Sequence, residues 1–194
     1  MLPEYARIGE KVYKINTDFR IGLACFRAIN DENLDDSLRG IVILSLLYGE
    51  EVEFSRDEIE EAIKKAILFL TCRTEETETS KTAKIEKKVM DFEYDKDYIF
   101  ASFMSDYGIN LHTIEYLHWF EFNALIQGLS ENSIFAKVIN LREMDLNEYK
   151  DVKTREKIKK AQERVKLPTE QIKVNDEELE LLRSLGIDTD KLHI

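Results

Sequence analysis

The sequence predicts an all-α fold, a single compact multi-helix domain around one buried central helix at about 111–127, with a C-terminal helical extension. Three observations predict it. Seven Gly and two Pro in 194 residues leave little material for the repeated tight turns of a β protein. Apolar residues recur at helical spacing behind Ser, Thr, Asp and Asn caps. Between 111 and 127, Leu111, Ile114, Leu117, Phe120, Phe122, Leu125 and Ile126 do not keep to one face, and Tyr116 and Trp119 close much of the remaining arc. A helix apolar nearly all round is usually a buried one.

Taken in order, residues 1–16 carry Tyr5, Ile8, Val12, Tyr13 and Ile15 without a helical period, which suits an extended segment or hairpin against the domain. Thr17-Asp18 caps a helix bearing Phe19, Leu23, Phe26 and Ile29, and Asn30-Asp31 stops it. Leu34 to Tyr48, ending at Gly49, is a second core helix. Residues 55–70 open on a capping box, Ser55 with Glu58, and run an apolar stripe through Ile59, Ala62, Ile63, Ala66, Ile67 and Leu70. Glu60 with Lys64 and Glu61 with Lys65 have the favourable order for exposed pairs. From Thr71 to Lys88, threonines alternate with Glu and Lys and no stripe continues, so this reads as a mobile connection or a weak projecting helix.

Asp95 caps the next helix, which carries Ile99, Phe100 and Phe103 and turns at Tyr107-Gly108, where glycine supplies a positive φ. Asn110 caps the central helix and Gly128 lies near its end. Ser130 starts a short helix through Phe135, Val138 and Ile139, and Asp145 with Glu148 marks another cap. Residues 150–166 hold eight bases against three acids and only a thin apolar seam. Pro168 ends that stretch. Residues 170–190 hold seven acids against two bases, with Leu179, Leu182 and Leu185 aligned on a short amphipathic pattern closed by Gly186. The expected organisation is a helical core over 1–148, a charged helical extension over 149–167 and an acidic flexible tail over 168–194.

Charge and composition narrow the function. A net charge of −11 repels nucleic acid. The apolar run from Ile41 to Tyr48 is too short for a bilayer, and no signal peptide opens the chain, so a soluble intracellular protein is expected. Cys25 and Cys72 are far apart and read as reduced core residues.

Candidate chemistry is sparse. Glu115-Tyr116-Leu117-His118 reads as Glu-x-x-His on a helix, one part of a carboxylate-bridged di-metal site, but the second such pair that the site needs is missing, and His112 and His193 lack the spacing. His118 as a hydrogen-bonded core residue is the simpler reading. There is no Gly-x-Ser-x-Gly elbow and no phosphate loop. Trp119, Phe120 and Phe122 suit core packing, with Trp119 as a rim aromatic the alternative. Arg142 suits a salt bridge to Asp91 or Asp95.

Residues 91–142 hold the only Trp and six of the ten Phe. The phrases Asp91-Phe92-Glu93-Tyr94-Asp95, Ile99-Phe100-Ala101-Ser102-Phe103, Tyr107-Gly108-Ile109-Asn110-Leu111, Leu117-His118-Trp119-Phe120-Glu121-Phe122 and Gly128-Leu129, followed by Arg142, resemble the tail assembly chaperones of long-tailed phages and prophages of Gram-positive bacteria, encoded just before the tape-measure gene. The likeness thins over the first half, where Thr17-Asp18-Phe19-Arg20 fits an opening helix, and stops near Leu167. It implies a non-enzymatic protein of the bacterial cytoplasm, without cofactor or metal. Its partners would be the tape-measure protein, a companion chaperone or a second copy of itself, with no nucleic acid and no membrane. Candidate contacts are Trp119, Arg142, Leu179, Leu182 and Leu185. Alternatives are a structural component retained in the virion and a metal-binding helical enzyme centred on Glu115 and His118.

Overall fold

The computed structural model describes residues 2–73 and 88–168; the Thr-rich connection, apart from its ends, and residues 169–194 lie outside them. Among the described residues the chain is mostly helical, with seven α-helices and one small sheet. Strands β1 (Tyr5–Ile8) and β2 (Lys11–Lys14) pair antiparallel, with Tyr5 opposite Lys14, around Gly9 at φ +57°. Strand β1 is half-buried by alternation, with Ala6 and Ile8 facing inward and Tyr5 and Arg7 facing water, while β2 is mostly exposed. The Gly9 N–H donates to Glu61 at 2.9 Å, which fastens the turn to the helix over Arg56–Leu70.

Helix α1 (Phe19–Ile29) starts at Asp18, whose carboxylate accepts the Arg20 N–H at 2.9 Å. Helix α2 (Asp36–Tyr48) starts at Asp35, which caps Leu38, so it begins two residues later than its apolar pattern suggests. Helix α3 (Arg56–Leu70) has the expected box: Glu58 accepts the Ser55 N–H at 2.9 Å. Its buried face is Ala62, Ala66, Leu68, Phe69 and Leu70, whereas Ile59 and Ile67 are 41% and 54% exposed. The stripe read from the sequence is thus rotated toward Phe69, which is buried, and away from Ile67, which lies about 200° round the helix from it. At the C-terminus of α3 the Arg73 N–H reaches Leu68 O and the Cys72 N–H reaches Phe69 O, a Schellman motif. Its left-handed position is filled by Cys72, at φ +53°, in place of the usual glycine.

Helix α4 (Lys96–Tyr107) ends at Gly108 in the left-handed conformation, as its sequence requires. The largest departure follows. Residues 111–118 do not continue a helix: Asn110 holds a single turn through the His112 and Thr113 N–H groups, and the chain then runs extended. Helix α5 is only Trp119–Gln127, and it is amphipathic rather than buried all round: Trp119 and Phe122 are buried while Glu121, Ala124 and Gln127 face water. The physical reason is non-local. The Phe19 N–H donates to Leu117 O at 2.9 Å and the Trp119 N–H to Thr17 O at 2.8 Å, an antiparallel bridge that a helix at 117–119 would forfeit.

Helix α6 (Ile134–Glu143) is capped by Ser133, and a short 3-10 turn at Leu146–Glu148 by Asp145. Helix α7 (Val152–Val165), capped by Asp151, has no buried residue; Ile158, Ala161, Gln162 and Val165 form a half-buried seam against α6. Neighbours pack in the order hairpin, α3, α2, α1, α5, α4, α6, α7. Three helices lie on each side of α5 in that order. The core is aromatic where the sides meet: Phe19 and Phe103 stack on Phe122 with ring centres at 4.9 and 5.4 Å, and Phe26 and Phe92 lie against Trp119 at 5.7 and 5.8 Å.

Candidate functional site

A binding surface for another protein needs apolar area left open by the fold. The α2–α3 pair provides it. Gly40, Ile41, Leu44 and Ser45 on α2 and Ile59 and Ile63 on α3 line a groove of about 600 Å³, closed at one end by Val52 and Phe54 of the connection. Ile41 is 63% exposed and Ile59 41%. Gly40 faces Ile63 across the groove, and the Ile63 Cδ1 would stand 3.4 Å, a contact distance, from a Cβ at position 40. Phe54 packs against Tyr13 and Tyr48, with ring centres 5.1 and 5.4 Å away. Asp36, Ser37 and Glu50 form a polar rim. An amphipathic helix laid along it, placing aliphatic side chains at i, i+3 or i+4 and i+7, would find apolar walls and an acidic edge.

The sequence reading missed this groove because it assigned Ile59 and Ile63 to the packed face of α3. No local signal separates these isoleucines from the rest of the stripe, since all its positions fall on one helical face.

The residues singled out from the sequence sit elsewhere. Trp119 is completely buried. Its indole N–H donates to Leu70 O at 3.0 Å, satisfying one of the carbonyls that the end of α3 leaves without a helical partner. Its six-membered ring lies on Gly22 of α1, where a Cβ would stand 2.2 Å from Cε3. Gly22 drew no attention in the sequence, since a mid-helix glycine ordinarily signals only a weak point.

Arg142 is buried against an equally buried Asp95, which makes two bonds of 2.7 Å to its guanidinium. The same guanidinium donates to Val89 O at 2.9 Å and Val165 O at 2.6 Å. One side chain therefore ties α6 to the segment before α4 and to the last turn of α7. Asp95 also accepts the Asp91 N–H at 3.0 Å and does not cap α4 with its side chain. Leu179, Leu182 and Leu185 lie outside the described residues.

Glu115 and His118 do not share a helix. Glu115 is exposed in the extended stretch, and buried His118 is the N-cap of α5. His118 Nδ1 accepts the Phe120 N–H at 3.1 Å and Nε2 donates to Pro3 O at 3.2 Å, so both ring nitrogens are occupied. The helical spacing that suggested a ligand pair is absent. Among the described residues no three His, Cys, Asp or Glu side chains converge as a metal site. No helix among them is long and apolar enough to cross a membrane.

Outside the lining of the groove, shifted titration follows from simple contacts. Burial pushes the Cys25 thiol and the Tyr48 hydroxyl up to about 12 and the Cys72 thiol to about 11. Hydrogen bonds from Arg27 and Lys96 hold the Glu93 carboxyl below its ordinary range, and the Ser130 backbone N–H does the same for Asp106.

Comparison with curated proteins and with solved structures returned no match. A family model described as Bacteriophage Gp15 protein matches residues 1–167, which spans the hairpin, all seven described helices and the α2–α3 groove. The chain belongs to the Bacteriophage Gp15 protein family.

Proposed function

We propose that this phage-family protein is a non-enzymatic tail assembly chaperone of the host cytoplasm, and that its α2–α3 groove receives an apolar helical stripe of the tape-measure protein. The observation that carries the reading is the open apolar wall at Ile41 and Ile59, on a chain with a net charge of −11. A long helical client exposes more apolar stripe than stays soluble before a tube encloses it. A chaperone that covers part of the stripe with a groove and presents a strongly charged exterior keeps the pair in solution. Binding of this kind is reversible: each square ångström of apolar surface covered contributes about 25 cal/mol, and a short groove covers little. A companion chaperone, or a second copy of the chain, would compete for the same walls.

The test is co-expression with the tape-measure protein of the same genome, followed by light scattering on the purified product. The expected result is a soluble complex with the wild-type chain and none with Ile41→Asp/Ile59→Asp, whose substitutions fall on exposed side chains and leave the helical content intact. An insoluble client in the presence of the wild-type chain would overturn the chaperone reading; undiminished binding by the double variant would move the site off the groove. Recovery of the chain from purified virions would support instead a structural component of the tail.

A further inference from the structure

The outward faces of α7 carry two basic rows. Lys153, Lys157, Lys160 and Arg164 follow at spacings of four, three and four, which aligns them along one side of a helix. Arg155 and Lys159 lie on the other side of the half-buried seam. All six are exposed. None of the four in the first row is in an ion pair among the described residues. The only acids on α7 itself are Glu156 and Glu163. A concentrated positive face of this kind is unusual on a chain of net charge −11.

The matching charge is in the same chain. Residues 169–194 hold seven acids against three bases, and Asp176, Glu177, Glu178 and Glu180 put four carboxylates within five residues. Ten residues separate Val165, the last of α7, from Asp176. Extended, they reach roughly 33 Å, whereas the 14 residues of α7 cover about 21 Å. The acidic cluster can therefore be placed anywhere along the basic rows. The lead to it is short enough to hold an effective concentration in the millimolar range. At the far end of α7, Val152 is 60% exposed and offers the leucines of the tail an apolar contact. The family match ends at residue 167, so the basic rows belong to the family domain and the acids lie beyond it.

We infer that residues 169–194 fold back along α7 and cover its basic rows, making the tail a salt-sensitive, detachable occupant of that face. This stands apart from the groove between α2 and α3 and does not depend on the chaperone reading. Docking by several exposed pairs is weakened by salt, because the Debye length shrinks from tens of ångströms to a few.

The experiment compares backbone amide spectra of the full-length wild-type chain with those of full-length Glu177→Lys/Glu178→Lys/Glu180→Lys, in about 20 mM and about 500 mM NaCl. At low salt the amides of 153–164 are expected to differ between the two proteins, with the difference falling on the order of half or more at high salt and unchanged on dilution. Adding Lys153→Glu, Lys157→Glu and Lys160→Glu to the tail variant swaps the charges and should restore the salt-dependent shifts. Identical α7 amides at low salt would overturn the inference. So would differences centred on Ile41 and Ile59, or differences that grow with protein concentration, which would assign the tail to the groove or to a second copy.

Discussion

Gly22 and Trp119 fit together only because one of them has no side chain. With a Cβ at 2.2 Å from the indole, Gly22→Ala forces either the ring or α1 to move. The expected loss is about 3 kcal/mol, the upper end of ordinary overpacking, despite the better helix propensity of alanine. Denaturant unfolding measures it, and a Trp119→Leu background should remove most of it. Arg142 offers a second test at this scale. Arg142→Met strips buried Asp95 of its guanidinium and leaves it only the Asp91 N–H, which should cost about 3–5 kcal/mol, whereas Asp95→Leu/Arg142→Met should recover a large part of that loss. The pairing of Arg142 with Asp95 was visible in the sequence as one of two nearby options. The importance of Gly22 was not, because it depends on which ring crosses α1, and that is fixed by a residue 97 positions away, Trp119.

The element boundaries divide by the range of the forces that set them. Asp18, Ser55 and Gly108 mark their helices as the sequence indicates, since a cap is a bond between residues two or three apart or a local φ preference. The break before Trp119 escaped notice because it is held by Thr17 and Phe19 from the other half of the chain. His118 then becomes a cap in its own right, and His118→Ala should cost about 1 kcal/mol in thermal or denaturant unfolding, with Asn partly restoring it. Acid and alkali act on different elements. Glu93 and Asp106, which join α4 to Arg27 of α1 and to Ser130 ahead of α6, have folded-state values below their unfolded ones. The stability they contribute is present above the ordinary carboxylate range and is lost as pH falls through the folded values, so the melting temperature should drop below about pH 4, and less steeply in Asp106→Asn. Cys25 and Tyr48 behave oppositely. Their folded values near 12 lie above those of the unfolded chain, which releases these protons from about pH 8.5 and about pH 10. Stability should therefore decline across that window, and Cys25→Ala should flatten its lower part.

At the scale of the whole molecule, the helical class was legible from glycine and proline content and from the stripes, and the hairpin from the absence of one. The order of packing was not, because no local pattern records which helix neighbours which. In that order α5 stands between α1 and α4, and its two buried residues, Trp119 and Phe122, touch aromatic rings from both sides. The two sides should unfold in a single transition, with circular dichroism and fluorescence midpoints coinciding. The single tryptophan of the chain makes that measurement direct. Its ring is shielded from water and its N–H is spent on the end of α3, so native emission should be blue-shifted and hard to quench with iodide. Any ligand, salt or variant that parts the two sides would redden it. The protein thus carries its own optical strain gauge, mounted at the joint between its halves, and the groove and tail variants can be screened for structural side effects without a label.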